Sequence, residues 1–343
     1  MSALAFELAP ALEASEPPEA RGLARDEVRL MVARRGSDEI VHTRFRELPA
    51  HLDPGDLIVV NTSATLPAAV PGWRAGEPVE VRFSTPAPQG GELQVIELRS
   101  ADGSAAFGAG RAGERLALPG QASLELVARY AGSDRLWLAR VVLREPLHRY
   151  LRRHGRPIRY GYVPARWPLS AYQTAYAAVP GSAEMPSAGR PFTARLITRL
   201  LAGGVLLAPL VLHTGVSSPE RHEPPYPEPY EVPEATARLV NAVRGWGGRV
   251  IAVGTTVIRA LETVAEADGT VRAGGGWTDL VVSGDRGLRA VTGMITGWHE
   301  PMASHLQILE ALAGQSFIDR CYATAVEQHY LWHEFGDSHL ILP

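Results

Sequence analysis

The sequence contains no lysine, because all 34 of its basic residues are arginine. A Schiff-base enzyme and a Walker phosphate loop both need the flexible ε-amine of lysine, so both kinds of site are excluded. The formal net charge is -3, so the chain is not basic as a whole. Any binding of nucleic acid must therefore come from a local basic patch.

Cysteine and long apolar runs are also scarce. The one cysteine, Cys321, cannot form a disulfide within the chain, and its place in a predicted helix favours a buried structural thiol. The longest uncharged apolar stretch, Leu200 to Leu212, is shorter than the roughly 20 residues of a membrane helix. The acidic amino terminus carries no targeting segment, so we expect a cytoplasmic protein with no membrane partner.

The 343 residues are enough for two domains, and two regions of the sequence differ in pattern. From about Val79 to Leu143, turn residues separate the short apolar runs VEVRF, LQVIEL, RLAL, ASLELVARY and RLWLARVVL. This pattern is typical of a small antiparallel barrel or sandwich. From about residue 170, helices alternate with strands, which is typical of a parallel sheet with helices.

Several elements of the second region can be placed on the sequence. Thr193 is positioned to cap a helix whose apolar stripe is Leu196, Ile197, Leu200 and Leu201, and which ends at Gly203 and Gly204. The run VLLAPLVL predicts a strand covered on both faces that delivers His213, Thr214 and Gly215 at its end. The next predicted elements are a helix from Glu234 to Trp246, the strand RVIAVG, a helix from Val257 to Ala267 and the strand DLVVS.

The amino-terminal run DLIVVN predicts a further buried strand of the same sheet. The predicted fold is therefore a discontinuous α/β sandwich with a mostly parallel sheet, formed by residues 1–66 and 150–343. A small antiparallel β-barrel is inserted between its two parts at residues 67–149.

The turn Gly254-Thr255-Thr256 is the strongest local candidate for a site. A buried strand ends in glycine, two hydroxyls follow, and a helix begins whose free N–H groups favour an anion such as a carboxylate. Arg259 and Glu262 lie within the next two turns of that helix. The alternative interpretation is that Thr255 or Thr256 only caps the helix.

Two histidines are candidate acid–base groups, because imidazole titrates near neutrality. They are His213 at a predicted strand end and His299 in the segment TGWHEP. Each could instead be a hydrogen-bonded structural residue. His329 and His333 have a spacing that could hold a metal, but no third ligand is evident, so we predict no metal site.

A patch rich in arginine and aromatic residues follows the predicted barrel. It contains Arg149, Arg152, Arg153, Arg156, Arg159 and Arg166, interleaved with Tyr150, Tyr160, Tyr162 and Trp167. Arginine contacts phosphate and aromatic rings stack on bases, so one hypothesis is a nucleic-acid surface. The other hypothesis is a solvated connector between domains.

Ordered motifs along nearly the whole chain resemble those of one known family. They are RDEVRLMV from Arg25, HTRFRELPAHLDPGDLIVVN ending at Asn61, YQTAYA from Tyr172, PGS from Pro180, PSAGRPFT from Pro186, LHTG from Leu212, GGRVIAVGTTVIRALE from Gly247, WTDLVVS from Trp277 and FGDSHLIL from Phe335. With them the chain resembles the S-adenosylmethionine:tRNA ribosyltransferase-isomerases of queuosine biosynthesis.

The resemblance implies the same two-part fold and a defined reaction. The ribosyl carbons of S-adenosylmethionine are moved and isomerised onto the aminomethyl group of a 7-deazaguanine base in tRNA, and adenine and methionine leave. This chemistry needs a base for a proton made acidic by the sulfonium, and an acid or hydrogen bond for departing adenine. It implies S-adenosylmethionine as substrate, tRNA as partner, and no metal or dissociable cofactor.

The predicted site combines the resemblance with the polar positions described above. The candidate catalytic residues are His213, His299 and Glu262. The candidate substrate-binding residues are Asn61, Tyr172, Gln173, Thr174, Ser187, Ala188, Gly189, Gly215, Gly254, Thr255, Thr256 and Arg259. The candidate nucleic-acid residues are Arg152, Arg153 and Arg156.

The chain departs from the family pattern at several polar positions. Thr62, Ala64 and Ala69 replace an acid and two arginines, Pro191 replaces a histidine, Met302 replaces a lysine, and a glycine-threonine-phenylalanine segment is missing around Val216 to Ser218. Two alternatives therefore stay open beside the tRNA enzyme. One is a paralogue with ribosyl or sulfonium chemistry on a small acceptor, and the other is a noncatalytic RNA-binding module.

Overall fold

The computed structural model describes residue 6 and residues 8–90, 92–216, 225–282, 286–300 and 305–343. Within these ranges the chain forms a nine-stranded sheet flanked by helices, a closed six-stranded barrel and a short two-stranded sheet.

The strands before and within the barrel are β1 (Arg29–Arg34), β2 (Glu39–Arg44), β3 (Leu57–Asn61), β4 (Ser63–Thr65), β5 (Ala69–Arg74), β6 (Glu77–Pro86), β7 (Leu93–Ser100), β8 (Arg115–Leu118), β9 (Ala122–Arg129) and β10 (Leu136–Val142). The later strands are β11 (Val179–Ser182), β12 (Leu206–Leu212), β13 (Glu228–Val232), β14 (Val250–Val253), β15 (Gly274–Thr278), β16 (Gly293–Thr296) and β17 (Ser338–Leu342). The helices are α1 (Leu147–His154), α2 (Ala194–Ala202), α3 (Glu234–Gly245), α4 (Thr255–Thr263), α5 (His305–Ala313) and α6 (Gln315–Glu327).

The large sheet has the strand order β15-β13-β12-β3-β14-β16-β17-β1-β2. Its centre, from β12 through β3 and β14 to β16, is parallel, and so is the pair of β17 with β1. Antiparallel pairs join β16 to β17 and extend both edges. The predicted α/β fold with an inserted antiparallel barrel is confirmed.

Apolar side chains bury both faces of this sheet. On one face, Val59 and Leu210 pack in a core with Val240 of α3, Leu261 of α4 and Ile318 of α6. On the other face, strand residues such as Ile58 and Ile251 pack against α2 and the segment around Phe45. All five residues of β3 are buried, because β3 lies at the centre of the sheet with a layer on each side.

Strand β12 differs from its prediction. Ala208, Leu210 and Leu212 are buried, but Pro209 between them is exposed, so only one face is fully covered. Proline has no N–H to donate to a neighbouring strand. It is tolerated at position 209 because β13 pairs only with Val211 and Leu212, so no strand lies beside Pro209 on that side.

The barrel closes in the order β10-β7-β6-β5-β8-β9. Its five predicted strands are present, and sequence analysis missed the sixth, β5, because Pro71 and Gly72 resemble a turn. Gly72 fits there for a packing reason, since a Cβ at this position would lie 3.2 Å from side-chain atoms of Leu118 and Val81.

The prediction of a strand at DLVVS was wrong. Asp279 to Val282, all within the described ranges, form no strand, and Ser283 lies outside those ranges. The backbone of Leu280 instead bonds to side chains: its N–H donates to Thr278 Oγ1 (3.2 Å) and its carbonyl accepts from Arg259 Nε (3.2 Å). On the side away from β3, the strand that pairs with β14 is β16, which sequence analysis did not predict.

The helix predictions were largely confirmed. Thr193 Oγ1 accepts a hydrogen bond from the Leu196 N–H (3.1 Å) and so caps α2, whose last turn is followed by Gly203. Leu201 of the predicted stripe is exposed. Helix α4 begins at Thr255 and ends at Thr263, so it starts earlier and is shorter than predicted.

The barrel strands lie between Ala69 and Val142, inside the predicted insertion. The predicted boundary at residue 150, however, falls within α1, whose Tyr150 and Leu151 pack in the barrel core. We propose that the inserted unit extends through α1.

Candidate active site

A cavity of about 350 Å³ lies between the barrel and the carboxyl ends of the central parallel strands. The barrel contributes Ser84, Thr85, Val95 and Leu136 to its wall. The segments that follow β12, β14 and β16 form the opposite wall, and the connector after α1 and the turn before β17 complete it. Open α/β sheets bind ligands at this edge, because the strand ends leave a crevice between diverging loops.

The turn after β14 lies in this wall. Gly254 has a φ of 87°, a left-handed conformation that favours glycine, and its N–H donates to the Ile295 carbonyl (2.8 Å). Because Gly254 is itself the N-cap, no side chain caps α4, so the capping interpretation of Thr255 and Thr256 was wrong. Thr256 Oγ1 is buried without a hydrogen-bond partner among the described residues. The turn therefore offers a free hydroxyl and the N-terminus of a helix to the cavity.

Arg259, one helical turn further on, is held by the protein itself. It forms a buried ion pair with Glu228 and donates to the carbonyls of Leu280 (3.2 Å), Tyr226 (3.1 Å) and Thr278 (3.0 Å). Burial raises the pKa of Glu228, against the opposing effect of the Arg259 charge. The pair joins α4 to β13 and stabilises the cavity wall.

Three rings form a stack along another side of the cavity. Tyr160 and Tyr162 lie with ring centroids 5.9 Å apart at 16°, and Tyr162 lies 3.9 Å from His333 at 11°. The Tyr160 hydroxyl donates to Glu184 and the Tyr162 hydroxyl donates to Glu334. Burial raises the pKa of Glu334 to about 7. Sequence analysis did not identify these glutamates, and two of the four aromatic residues that it placed in a nucleic-acid patch, Tyr160 and Tyr162, line the cavity.

His299 is the one predicted catalytic residue that lines the cavity. Its Nε2 lies 2.9 Å from Thr296 Oγ1, and its ring stacks on His305 at 4.8 Å. Burial, with smaller effects of neighbouring histidines, holds the pKa of His299 well below its usual range. The ring is therefore neutral at physiological pH and acts as a hydrogen-bonding group.

His213 and Asn61 lie outside the cavity wall. His213 Nδ1 is 2.7 Å from Ser63 Oγ, and burial lowers the pKa of His213. The Asn61 side chain bonds to both the N–H (3.0 Å) and the carbonyl (2.8 Å) of Leu212, which joins the ends of β3 and β12. Because these polar atoms are used between strand ends, we propose structural roles for both residues.

Glu262 also lies outside the cavity wall and is fully buried. Its carboxylate accepts hydrogen bonds from the backbone N–H groups of Arg289 (3.0 Å), Ala290 (2.9 Å) and Val291 (3.3 Å). Because both carboxylate oxygens hold the segment that enters β16, we propose a structural role for Glu262.

Among the predicted substrate-binding residues, Gln173, Thr174 and Gly189 do not line the cavity but support it. The Gln173 side chain bonds to the N–H (3.0 Å) and carbonyl (2.8 Å) of Thr65. A Cβ at Gly189 would lie 2.0 Å from the Tyr176 hydroxyl, so only glycine fits. The predicted residues that line the cavity are Tyr172, Ser187, Ala188, Gly215, Gly254, Thr255, Thr256 and Arg259.

The three arginines predicted to contact nucleic acid differ in their surroundings. Arg152 and Arg153 are exposed, and Arg153 lies 3.4 Å from Glu145. Arg156 is half-buried and pairs with Glu80 on the barrel (3.0 Å), so we correct its role to structural.

Some positions that depart from the family pattern lie outside the described ranges, namely Ser217, Ser218 and Met302. Thr62 Oγ1 bonds to the Leu210 carbonyl (3.1 Å), and Ala69 is buried in β5. Among the residues in the described ranges, no helix is long and apolar enough to span a membrane. Over the same ranges no group of three potential metal ligands is found.

Comparison with known proteins decides the family. Residues 1–341 match the model of the family described as queuosine biosynthesis protein. The chain belongs to this family. It is 36% identical to the S-adenosylmethionine:tRNA ribosyltransferase-isomerase of Symbiobacterium thermophilum, over 98% of each chain.

Other members of the family show similar coverage. The enzyme of the same name from Moorella thermoacetica is 35% identical over 98% of each chain. The crystal structure of the S-adenosylmethionine tRNA ribosyltransferase from Thermotoga maritima is 29% identical, with a TM-score of 0.55, and covers 98% of this chain and 99% of that one. The resemblance seen in the sequence motifs is confirmed.

Proposed function

We propose that this protein is an S-adenosylmethionine:tRNA ribosyltransferase-isomerase. It transfers and isomerises the ribosyl moiety of S-adenosylmethionine onto a 7-aminomethyl-7-deazaguanine base in tRNA, and it releases adenine and methionine. The observation that carries this proposal is the near full-length similarity to enzymes of that name.

The cavity supports binding of a sulfonium cation. Four glutamates line it, namely Glu184, Glu228, Glu300 and Glu334. Among the described lining residues Arg259 is the single arginine, and it is already paired with Glu228. The excess of carboxylates and the faces of Tyr160 and Tyr162 favour a positive ligand by Coulomb and cation–π attraction.

The opposite wall supports binding of the methionine carboxylate. The first N–H groups of α4 have no helical partner, and the helix dipole favours an anion at this end. Thr256 Oγ1 is unpartnered and can donate to the same carboxylate. The cavity volume of about 350 Å³ is within the range of roughly 300–1,000 Å³ that is typical of small-molecule sites.

The remaining part of the reaction needs a hydrogen bond for the departing adenine. His299, with its neutral ring in the cavity wall, can supply it without adding positive charge beside the sulfonium. Trp298 Nε1 is buried without a partner among the described residues and is a second donor at the same wall.

A small-molecule acceptor is the second candidate function. One observation in its favour is that Tyr160 and Tyr162 line the cavity and do not form part of an outer surface for tRNA. The other is that Arg156 is paired with Glu80. Both observations reduce the surface that could hold tRNA.

The test is turnover with defined tRNA. The protein is incubated with S-adenosylmethionine and tRNA that carries 7-aminomethyl-7-deazaguanine, with guanine-containing tRNA as the matched control. We expect equal amounts of adenine and methionine, formed only with the modified tRNA, and the matching mass increase in the tRNA nucleoside. Turnover that ignores tRNA and responds to a small amine would support the second candidate, and tRNA binding without turnover would support a noncatalytic protein.

The exposed arginines give a separate prediction about tRNA. Changing Arg152 and Arg153 together to alanine should make the slope of log K for tRNA binding against log salt concentration less steep. The expected change in this slope is up to about 0.9 per lost contact in duplex RNA, or about 0.7 in single strands. The reason is that each lost phosphate contact releases one counterion fewer. Binding is measured over a series of salt concentrations, with the exposed pair Arg195→Ala and Arg238→Ala as control. An unchanged slope would show that Arg152 and Arg153 do not contact tRNA phosphates.

A further inference from the structure

We propose that Glu334 is a catalytic residue that removes the proton from the ribosyl carbon bonded to the sulfonium sulfur of S-adenosylmethionine. This inference rests on the proposed function and assigns a residue to a step that no predicted residue can perform. His213 and Glu262 lie outside the cavity, and burial lowers the pKa of His299 so far that its neutral ring is a weak base.

The turn that carries Glu334 is fixed in position by the backbone. Asp337 accepts hydrogen bonds from the N–H groups of Leu331 and Arg29, both at 2.8 Å. A Cβ at Gly336 would lie 2.3 Å from the Leu331 carbonyl oxygen, so only glycine permits this turn. His333 has a φ of 71°, in the left-handed region, which fixes the chain direction just before Glu334. The turn therefore holds Glu334 rigidly at the cavity.

Glu334 differs from two of the other glutamates of the cavity, Glu228 and Glu300, in its partners. Glu228 is neutralised by Arg259 and accepts a hydrogen bond from the Gly215 N–H (2.8 Å), and Glu300 is exposed. Glu334 forms no ion pair with an arginine within the described ranges. A half-buried carboxylate that lines a cavity, without an arginine ion pair in the described ranges and positioned by a tyrosine hydroxyl, is an arrangement suited to general-base catalysis.

Tyr162 is the positioning residue for Glu334. Its hydroxyl donates to Oε2 of the carboxylate, and its ring is held between Tyr160 and His333. His333 is itself oriented, with Nε2 lying 3.4 Å from Glu13 Oε1. The stack holds the Tyr162 ring in place, and its hydroxyl in turn orients the carboxylate.

The charged groups around Glu334 suit proton abstraction near neutral pH. Burial raises the pKa of Glu334 to about 7, with the Tyr162 hydroxyl and Arg190 opposing and Glu184 adding to the rise. Arg190 is itself paired with Glu19 (2.8 Å). Arrival of a sulfonium cation favours the ionised carboxylate, so substrate binding prepares the base.

The step balances without a further reactant. A carboxylate oxygen of Glu334 forms an O–H bond while the C–H bond breaks, and the electron pair stays on the carbon beside the positive sulfur. Adenine must gain a proton to depart as a neutral base. The proton taken up by Glu334 is then transferred to the departing adenine.

The test compares Glu334→Gln with wild type and with the exposed control Glu327→Gln. General-base catalysis contributes roughly 10²–10⁴-fold, so we expect the kcat of Glu334→Gln to fall by about that factor. The Kd for S-adenosylmethionine by calorimetry should rise, because one carboxylate near the sulfonium is lost, but by a smaller factor than the fall in kcat; measurable binding also shows that the variant is folded. In wild type, kcat/KM should rise with pH through about 7, because only the ionised carboxylate is a base. This acidic limb should be absent in Glu334→Gln and retained in Glu334→Asp.

Each other outcome counts against the proposal in a distinguishable way. A kcat of Glu334→Gln within about threefold of wild type, or an unchanged acidic limb, would overturn the role of Glu334 and leave the proposed function intact. Loss of turnover in Glu184→Gln with a normal Glu334→Gln would move the base to Glu184. Wild-type protein that binds S-adenosylmethionine but never forms product would overturn the proposed function and this assignment with it.

Discussion

Replacing Arg259 with methionine should abolish measurable binding of S-adenosylmethionine and lower the free energy of unfolding by about 3–5 kcal/mol. The guanidinium neutralises Glu228 inside the cavity wall and bonds to three carbonyls, of Tyr226, Thr278 and Leu280. Methionine fills a similar volume but leaves a buried carboxylate unpaired and these carbonyls without a donor. Urea denaturation measures the stability, and calorimetry measures the binding.

Two controls make the Arg259 result specific. Arg238 on α3 is exposed and pairs only with Glu234, so Arg238→Met should change stability by less than about 0.5 kcal/mol. The double variant Glu228→Gln with Arg259→Met should recover part of the lost stability, because no charge is then buried without a partner.

The pH dependence of the Arg259 variant has a defined sign. Without Arg259 the raised pKa of Glu228 rises further, so the folded state binds a proton that the unfolded state has released. The stability deficit should therefore shrink as the pH falls toward the unfolded pKa and be largest above the folded pKa. A deficit that stays constant over this range would show that Glu228 is not the group left unpaired.

The second large effect is expected in the barrel. Glu97 is fully buried and lies among three arginines, at 3.0 Å from Arg99, 3.2 Å from Arg135 and 3.8 Å from Arg82. Glu97→Gln keeps the shape of the side chain but removes the charge that compensates these guanidinium groups. We expect the free energy of unfolding to fall by about 3–5 kcal/mol, measured by urea denaturation.

The Glu97 prediction also links the barrel to the cavity. Arg82 lies on β6, the strand that carries Ser84 and Thr85 to the cavity wall, so the affinity for S-adenosylmethionine should fall with stability. The matched control is Glu125→Gln on β9, whose pair with Arg115 is exposed and should contribute less than about 1 kcal/mol. If Glu97→Gln and Glu125→Gln behave alike, the barrel arginines are compensated by groups other than Glu97.

The errors of sequence analysis have a common cause. DLVVS has the composition of a strand, but the backbone of Leu280 bonds to Thr278 and Arg259, and the tertiary bonds override the local preference. Tyr160 and Tyr162 have the composition of a nucleic-acid surface, but the connector turns them into the cavity, where each holds a glutamate. Apart from Thr278, which is next but one to Leu280, these partners lie at least 21 residues away in the sequence.

The sequence by itself determined the family, the α/β fold with an inserted barrel, the cap at Thr193 and the turn at Gly254. These features depend on local patterns: the spacing of apolar residues, capping side chains and glycine at a left-handed position. Only the tertiary structure decided which polar residues form the site. Folding places Glu184, Glu228 and Glu334 together at the cavity. The carboxylate of Glu262 instead accepts hydrogen bonds from backbone N–H groups. The physical reason is that the charge and role of a buried carboxylate depend on its partners, and residues distant in sequence supply those partners only after folding.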